Sequence, residues 1–531
     1  MNSFSFPRQA PPARPLWGII PIMPSTTPEA QELTQRGRLY VRRGEYDRAI
    51  EAFTGALDLA PEDAQLYYYR GNAHVALEQL ELAVEDYTHA IRLRPNFPAA
   101  YHNRGTAHGD LGRADAAIAD YTEAMQQDAD DPDPLNGRAA LYTQLGRTDE
   151  ALVDFEAALQ LSSNSARSFF NRGNCHVVRE DWTAAEADYT RTLALVPQSS
   201  RAYLARATVR ERLNLIPAAI ADLSAALRVN SKAWEAYRMR ARLHASEGRF
   251  DQAITDFSAV IRAAPNDGVA RNQRGIAYCN LKQYTKAIVD FTEAMEFDPL
   301  DLGPVFNRGL AYARAKQFEP AIDDFNMAEL LAPDDPLVFV HRGTALLELL
   351  DPERAIRDFN KSLELHPDYA RAYFGRAKAH QQLNDWDAAL ADANRAAELK
   401  PSSGASYTLR GTIQHARREF AAALADYSRA LEFEPHNLDA MNAVAWLQAV
   451  APVPELQNSV EAVRLATQAC EATDYTSPNS LDTLAAAHAA AGRFDRAVKL
   501  QRKAIGLLPP DERPEFESRL KLYEQNLPYV E

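Results

Sequence analysis

Residues 64–97 read AQLYYYRGNAHVALEQLELAVEDYTHAIRLRPNF, and the order Arg70, Gly71, His74, Ala83, Asp86, Tyr87, Pro95 within them decides the fold. Ala83 belongs to a series that returns every 34 residues, twelve times in succession: Ala49, Ala83, Ala117, Ala151, Ala185, Ala219, Ala253, Ala287, Ala321, Ala355, Ala389 and Ala423. A fixed period of this length marks a solenoid, in which each unit buries its apolar face only by stacking on its neighbours. A chain of 531 residues would otherwise suggest several globular domains. The repeat replaces that expectation with one continuous core that grows along the chain.

With the alanine set at position 20, position 8 is always Gly or Ala, from Gly37, Gly71 and Gly105 through Ala139 to Gly411. Position 24 is aromatic in ten of the twelve units, Leu223 and Ala393 being the exceptions, and position 32 is proline in nine. These choices describe two antiparallel helices. Small residues at 8 and 20 let the axes approach, the ring one turn after position 20 fills the groove on the same face, and proline follows the second helix. Glycine inside a helix costs about 1 kcal/mol against alanine, so its frequency at position 8 implies steric demand there. The pattern resembles the tetratricopeptide repeat at positions 8, 20, 24, 27 and 32, over residues 30 to about 511. The resemblance implies an all-α fold, a right-handed α-α superhelix of about 14 helix-turn-helix units.

Two charged positions are as regular as the packing ones. Position 7 is arginine in all twelve units, from Arg36, Arg70 and Arg104 to Arg410, and position 23 is aspartate in eleven, with Ala52 the exception. An arginine ladder for anionic ligands is one reading. The matched numbers favour the other, a bridge between the helices that suits the bidentate fork of arginine. Spacing leaves open whether it lies within a unit or between neighbours. Asp426 hints at the former, because the next unit has Val444 at position 7. Six histidines (His74, His108, His176, His244, His380, His488) stand at position 11, where other units place tyrosine, and are read as packing rings. A spacing of 34 residues spreads them along the stack and makes no metal site.

The net charge of −15 argues against bulk affinity for nucleic acid or anionic membrane. Cys175, Cys279 and Cys470 are too far apart for a zinc site or a disulfide framework, which favours a reducing, cytoplasmic home. No apolar run approaches the roughly 20 residues that cross a bilayer. Residues 1–28 carry Leu16, Trp17, Ile19 and Ile20 among Pro15, Pro21 and Pro24, and are expected to be a flexible proline-rich leader. Were they a secretory signal instead, the protein would be exported.

After twelve uninterrupted units over residues 30–437 the register breaks. Residues 438–511 hold two divergent units, the first with an insertion near 451–455, and neither carries the arginine and aspartate of positions 7 and 23. The runs around Trp446, Ala462 to Cys470, Leu481 to Ala487, and Arg519 to Tyr523 with Pro528 and Tyr529 resemble a C-terminal module of long bacterial tetratricopeptide proteins. That resemblance implies a bacterial interaction protein. Residues 512–531 are expected to form a capping helix and tail, with Phe516, Leu520 and Tyr523 on one stripe.

No phosphate loop, dinucleotide fingerprint, HExxH or GxSxG occurs, so the chain reads as non-enzymatic and without a cofactor. Function is then expected on the inner wall, which the resemblance assigns to positions 2, 5, 9, 12 and 13 of the first helix. Arg201, Arg212, Arg238 and Arg242, with Arg167 one unit earlier, make a basic zone beside Thr208 and Glu211. Asn272, Ile276, Phe306, Leu310 and Arg314 make a more apolar one. The pair suits a protein or peptide partner with acidic and hydrophobic portions, held by a scaffold. Tyr68, Phe170 and Phe374 at position 5 are further anchors or pack sideways. Asn72 and Asn174 match the asparagine of the chaperone-binding version of this repeat, but Tyr68 and Phe170 stand where its lysine would be. Self-assembly of the solenoid into a homo-oligomer is the structural alternative. RNA binding in the basic groove is a weaker one, since few rings interleave the arginines.

Overall fold

The computed structural model describes residues 27–531. These residues form 29 α-helices and two short 3-10 turns, with no strand among them. From Ala64 to Phe433 the plan never varies: a first helix of 13 residues, such as Ala64–Ala76, and a second of 14, such as Leu80–Leu93. The expected leader lies outside the described residues except for its last two. Thr27 accepts the amide of Ala30 as the N-cap, and Pro28 occupies the first helical position, where a missing N–H is harmless.

The chain divides into two compact units, one ending at Ala263 and one running from Ala264 to Glu531. The first holds seven helix pairs, Pro28–Arg43 through Phe250–Ala263. The second holds seven more, from Gly268–Asn280 to Phe494–Leu507, and the additional helix Pro514–Glu524. A solenoid coheres through neighbour interfaces and has no single centre, so each compact unit is itself a run of stacked helix pairs.

Inside each pair the period acts as predicted. All twelve position 20 alanines are fully buried, and the position 24 side chains beside them are no more than 5% exposed. A Cβ added to Gly37, Gly71, Gly173 or Gly275 would lie 2.5–2.8 Å from the position 24 ring of its own unit, which explains the glycine at position 8. The turn between the helices has a recurring geometry of its own. Position 15 adopts a left-handed conformation in every regular unit, as at Gly44 (φ 74°), Glu78 (58°), Gly112 (74°), Leu350 (58°) and Arg418 (62°).

The arginine and aspartate of positions 7 and 23 meet in all eleven units that have both. Arg104 donates from Nε to Asp120 Oδ2 at 2.8 Å and from Nη2 to Oδ1 at 2.7 Å, and the geometry repeats from Arg70–Asp86 to Arg410–Asp426. The carboxylate therefore lies within the unit. The third arm reaches backwards: in at least nine units Nη1 donates to a position 25 side chain of the preceding unit, Thr54, Thr88, Thr122, Thr190, Ser224, Thr292, Asn326, Asn360 or Asn394. One guanidinium thus ties its own two helices together and stitches them to the helix before. The position 11 histidines are more than packing rings, since Nε2 of His74, His108, His176 and His380 stands 3.7–4.0 Å from the same aspartates. Burial lowers the basicity of His108, His176 and His244.

Candidate binding face

Positions 2, 5, 9, 12 and 13 lie on one face of successive first helices, and contacts between units join them there. In the first compact unit Arg201 lies over the ring of Phe170, 4.7 Å from its centroid, and Arg212 over Trp182 at 5.6 Å. Both arginines are exposed and neither forms an ion pair with a carboxylate among the described residues. A guanidinium so placed gains from the ring face and still presents its donors outward. Their neighbours differ. Arg242 gives Nη2 to both oxygens of Glu211 at 2.8 and 2.9 Å, Arg238 lies over Trp234 at 5.2 Å, and Arg167 stands 3.6 Å from Asp133. The basic zone is therefore graded, open at Arg201 and Arg212 and partly neutralised at Arg242 and Arg167.

Arg167 also borders a small cleft of about 40 Å³, together with Thr106, Asp110, Tyr121, Gly137 and Gln144. Beside it is His102, whose ring packs 5.6 Å from that of Tyr121. Burial pushes the His102 imidazole down to about 4, with Arg167 adding to the shift and Asp133 opposing it.

In the second compact unit the predicted apolar zone is more internal than its sequence implies. Ile276 and Leu310 are half-buried against the cores of their own units. Phe306 packs on Phe325 at 5.8 Å and edge-on to His341 at 5.4 Å. The Oδ1 of Asn272 accepts from Asn307 at 3.1 Å, and Arg314 is exposed. Of the position 5 rings, Tyr68 is buried among Tyr69, Tyr87 and Phe97, while Phe170 and Phe374 are half-buried beneath Arg201 and Lys378. Tyr68 thus packs sideways. Asn72 is occupied internally as well, accepting from Tyr87 at 2.7 Å and Asn103 at 2.8 Å.

Sequence reasoning missed Trp182 beneath Arg212 and the buried charge cluster near the C-terminal end. Asp482, 5% exposed, receives Arg519 Nε at 3.0 Å, Arg519 Nη2 at 2.8 Å and Gln501 Nε2 at 2.6 Å. Arg519 in turn lies 5.4 Å from the Trp446 ring, 4.9 Å from Phe516 and 5.6 Å from Tyr529. The available signal was Gln501 at position 24, a polar residue where a ring is expected. Cys175 and Cys470 are buried, Cys279 is half-buried, and all three are free. Among the described residues no group of three metal-ligating side chains converges. No helix there is long and apolar enough to cross a membrane.

The sequence profile of the tetratricopeptide repeat matches residues 34–98, 102–166, 138–200, 170–223, 204–268, 238–301 and 341–405, and a second such profile matches 479–507. The chain belongs to the tetratricopeptide-repeat family. The fold of this family is that of a protein-interaction scaffold, and the family is generally non-enzymatic. Among solved structures this tetratricopeptide chain is similar to YrrB, a tetratricopeptide protein with an unusual peptide-binding site (24% identity, 35% of this chain and 95% of that one, TM-score 0.33). It is also similar to yeast Tom70 (18%, 79% and 95%, TM-score 0.35). A tetratricopeptide protein from Parabacteroides merdae is a third (20%, 47% and 98%, TM-score 0.38). No curated protein matches the chain.

Proposed function

We propose that the chain holds an extended peptide or protein segment on the first-helix face, with acidic residues of that segment taken by Arg201 and Arg212. One observation carries this reading. The framework arginines are locked in bidentate bridges, whereas Arg201 and Arg212 are exposed, laid on Phe170 and Trp182, and without a carboxylate among the described residues. A charged donor pre-oriented on an aromatic ring loses little freedom on binding, which is the usual character of an interface anchor. Phe306, Ile276 and Leu310 offer only their half-exposed edges. The acidic part of the partner therefore contributes more than the hydrophobic part.

The test is fluorescence anisotropy with a panel of labelled acidic peptides carrying leucine or phenylalanine, on the wild type and on Arg201→Glu/Arg212→Glu. The expected result is salt-sensitive binding that the double reversal weakens at least ten-fold, while Arg242→Glu, already paired with Glu211, changes it much less. Equal binding by wild type and double variant would remove these arginines from the site. A concentration-independent monomer in light scattering would separately dispose of the self-assembly alternative.

A further inference from the structure

The face formed by helices Gly404–Ala416 and Leu438–Val450 is already occupied, and its occupant is a segment of this chain. Helix Pro514–Glu524 ends in a left-handed residue, Asn526 (φ 58°), with the amide of Leu527 donating to Leu522 O at 2.9 Å. Residues 527–531 then cross that face outside any helix. The amide of Glu531 donates to Val450 O at 3.0 Å. Its side-chain carboxylate accepts from His415 Nε2 at 3.0 Å and from Trp446 Nε1 at 3.3 Å. Two residues earlier the Tyr529 ring packs 5.9 Å from Trp446 and under Arg519.

Several features mark this as a ligand-like contact. His415 is at position 12 and Trp446 at position 9 of their respective first helices. In an extended chain residues i and i+2 point the same way. Accordingly Tyr529 and Glu531 are half-buried, while Val530 between them, 52% exposed, faces outward. Burial works to raise the Glu531 carboxyl, yet the bond from His415, with Trp446 and the Arg418 charge, holds it below its ordinary value, so the seat favours the anion. The contact is also thin, with one main-chain bond, one carboxylate and one ring in place.

We propose that this face is a peptide-binding seat selective for an aromatic residue two positions before a glutamate, filled in cis by residues 527–531 and in trans by an external segment of the same pattern. His415 and Trp446 read the carboxylate, Val450 O reads the main chain, and Trp446 with Arg519 reads the ring. The seat is independent of the arginine zone and goes beyond the reading given for it. A tethered tail acts as a competitor at about 1 mM. With a Kd on the order of 0.1 mM for so small a contact, it would weaken an external peptide about ten-fold.

The experiment uses a fluorescein-labelled peptide, Asn-Leu-Pro-Tyr-Val-Glu, titrated with the full chain, with the chain lacking residues 527–531, and with the full-length Tyr529→Ser/Glu531→Gln variant. Both altered proteins are expected to bind it saturably and about ten-fold more tightly than the full chain. Replacing the tyrosine by serine or the glutamate by glutamine in the peptide should abolish the gain, as should His415→Ala in the shortened chain. Arg201→Glu/Arg212→Glu should leave this binding unchanged, which separates the two sites. The proposal is overturned if neither tail-altered protein, each with wild-type helicity, binds the peptide. It is equally overturned if the full chain binds as tightly as they do, or if the substituted peptides bind equally well.

Discussion

The twelve regular units and the last 94 residues solve the same problem, tying helices together with buried charge, in opposite ways. In a regular unit the partners are 16 residues apart, and the bridge is one of eleven like it. In the C-terminal segment the regular pair is absent and a single one replaces it with the polarity reversed: the aspartate, Asp482, is on the first helix and the arginine, Arg519, lies 37 residues later on the added helix. Redundant local bridges make each unit tolerant. A unique distant bridge makes the end of the chain depend on one residue.

That contrast is broken most severely at Arg519. Arg519→Ala leaves Asp482 buried with only Gln501 as partner and removes the guanidinium from between Trp446, Phe516 and Tyr529. Removing one member of a buried pair costs about 3–5 kcal/mol. Hydrogen exchange should show it in helices Pro478–Ala490, Phe494–Leu507 and Pro514–Glu524, with the units before residue 437 unaffected. The double variant Asp482→Asn/Arg519→Leu should recover most of the loss, because the orphaned charge is gone. Equal damage in the single and double variants would mean that packing, and not the charge pair, holds the last helix.

A regular unit should suffer less from the same operation. Asp120→Ala frees Arg104 from two bonds and takes the carboxylate from beside His108. Arg104 keeps its bond to Thr88 and its place over Tyr101, and its side chain is partly exposed. A loss of about 1.5–3 kcal/mol is expected, confined to that unit and its neighbours. Urea unfolding followed by local probes would expose the opposite outcome, a loss shared by all twelve units.

Most of the regular region was legible because its determinants repeat. Ala83, Tyr87 and Pro95 needed no coordinates, and neither did the pairing of Arg70 with Asp86, since twelve copies average away the accidents of any one unit. The backward bond from Arg70 to Thr54 escaped notice because position 25 varies among Thr, Ser and Asn, with Glu156 once, residues that share only a side-chain oxygen acceptor. The left-handed position 15 was visible in Gly44, Gly112, Gly146 and Gly248 but was masked by Glu78, Leu350 and Arg418. On the candidate face, side-chain type was readable and side-chain company was not. Nothing in the period says that Arg242 turns to Glu211 while Arg201 turns to Phe170. The seat of Glu531 was hidden for a related reason, since His415 is 116 residues away and the contact belongs to no repeat.

The next difference concerns pH. His102, in a regular unit, is held to about 4 by burial, and His341 likewise, while an unfolded histidine takes its proton near 6.5. In both, the folded state favours the neutral ring. Stability from this source is fully present above about pH 6.5, falls as pH drops through that value, and stops falling below about 4, where both states are protonated. His102→Gln should flatten that part of the stability profile between pH 4 and 6.5 while leaving stability at pH 8 within about 1 kcal/mol. An unchanged slope would place the sensitivity elsewhere, for instance at His341.

The smallest effect should have the opposite sign. Leu350 sits at position 15 with φ 58° and is 78% exposed, so it carries the strain of a left-handed backbone and contributes little packing. The same turn is made by glycine at Gly44, Gly112 and, in the divergent region, Gly492. Leu350→Gly relieves that strain, and although glycine adds freedom to the unfolded chain, a net gain of about 0.5–1 kcal/mol is expected. Leu349→Gly, one residue earlier at φ −90°, gains no such relief and should lose about as much. Opposite signs in thermal melts of these two neighbours would assign the effect to backbone conformation. Matching signs would show that the turn tolerates either residue and that position 15 is no part of what the repeat demands.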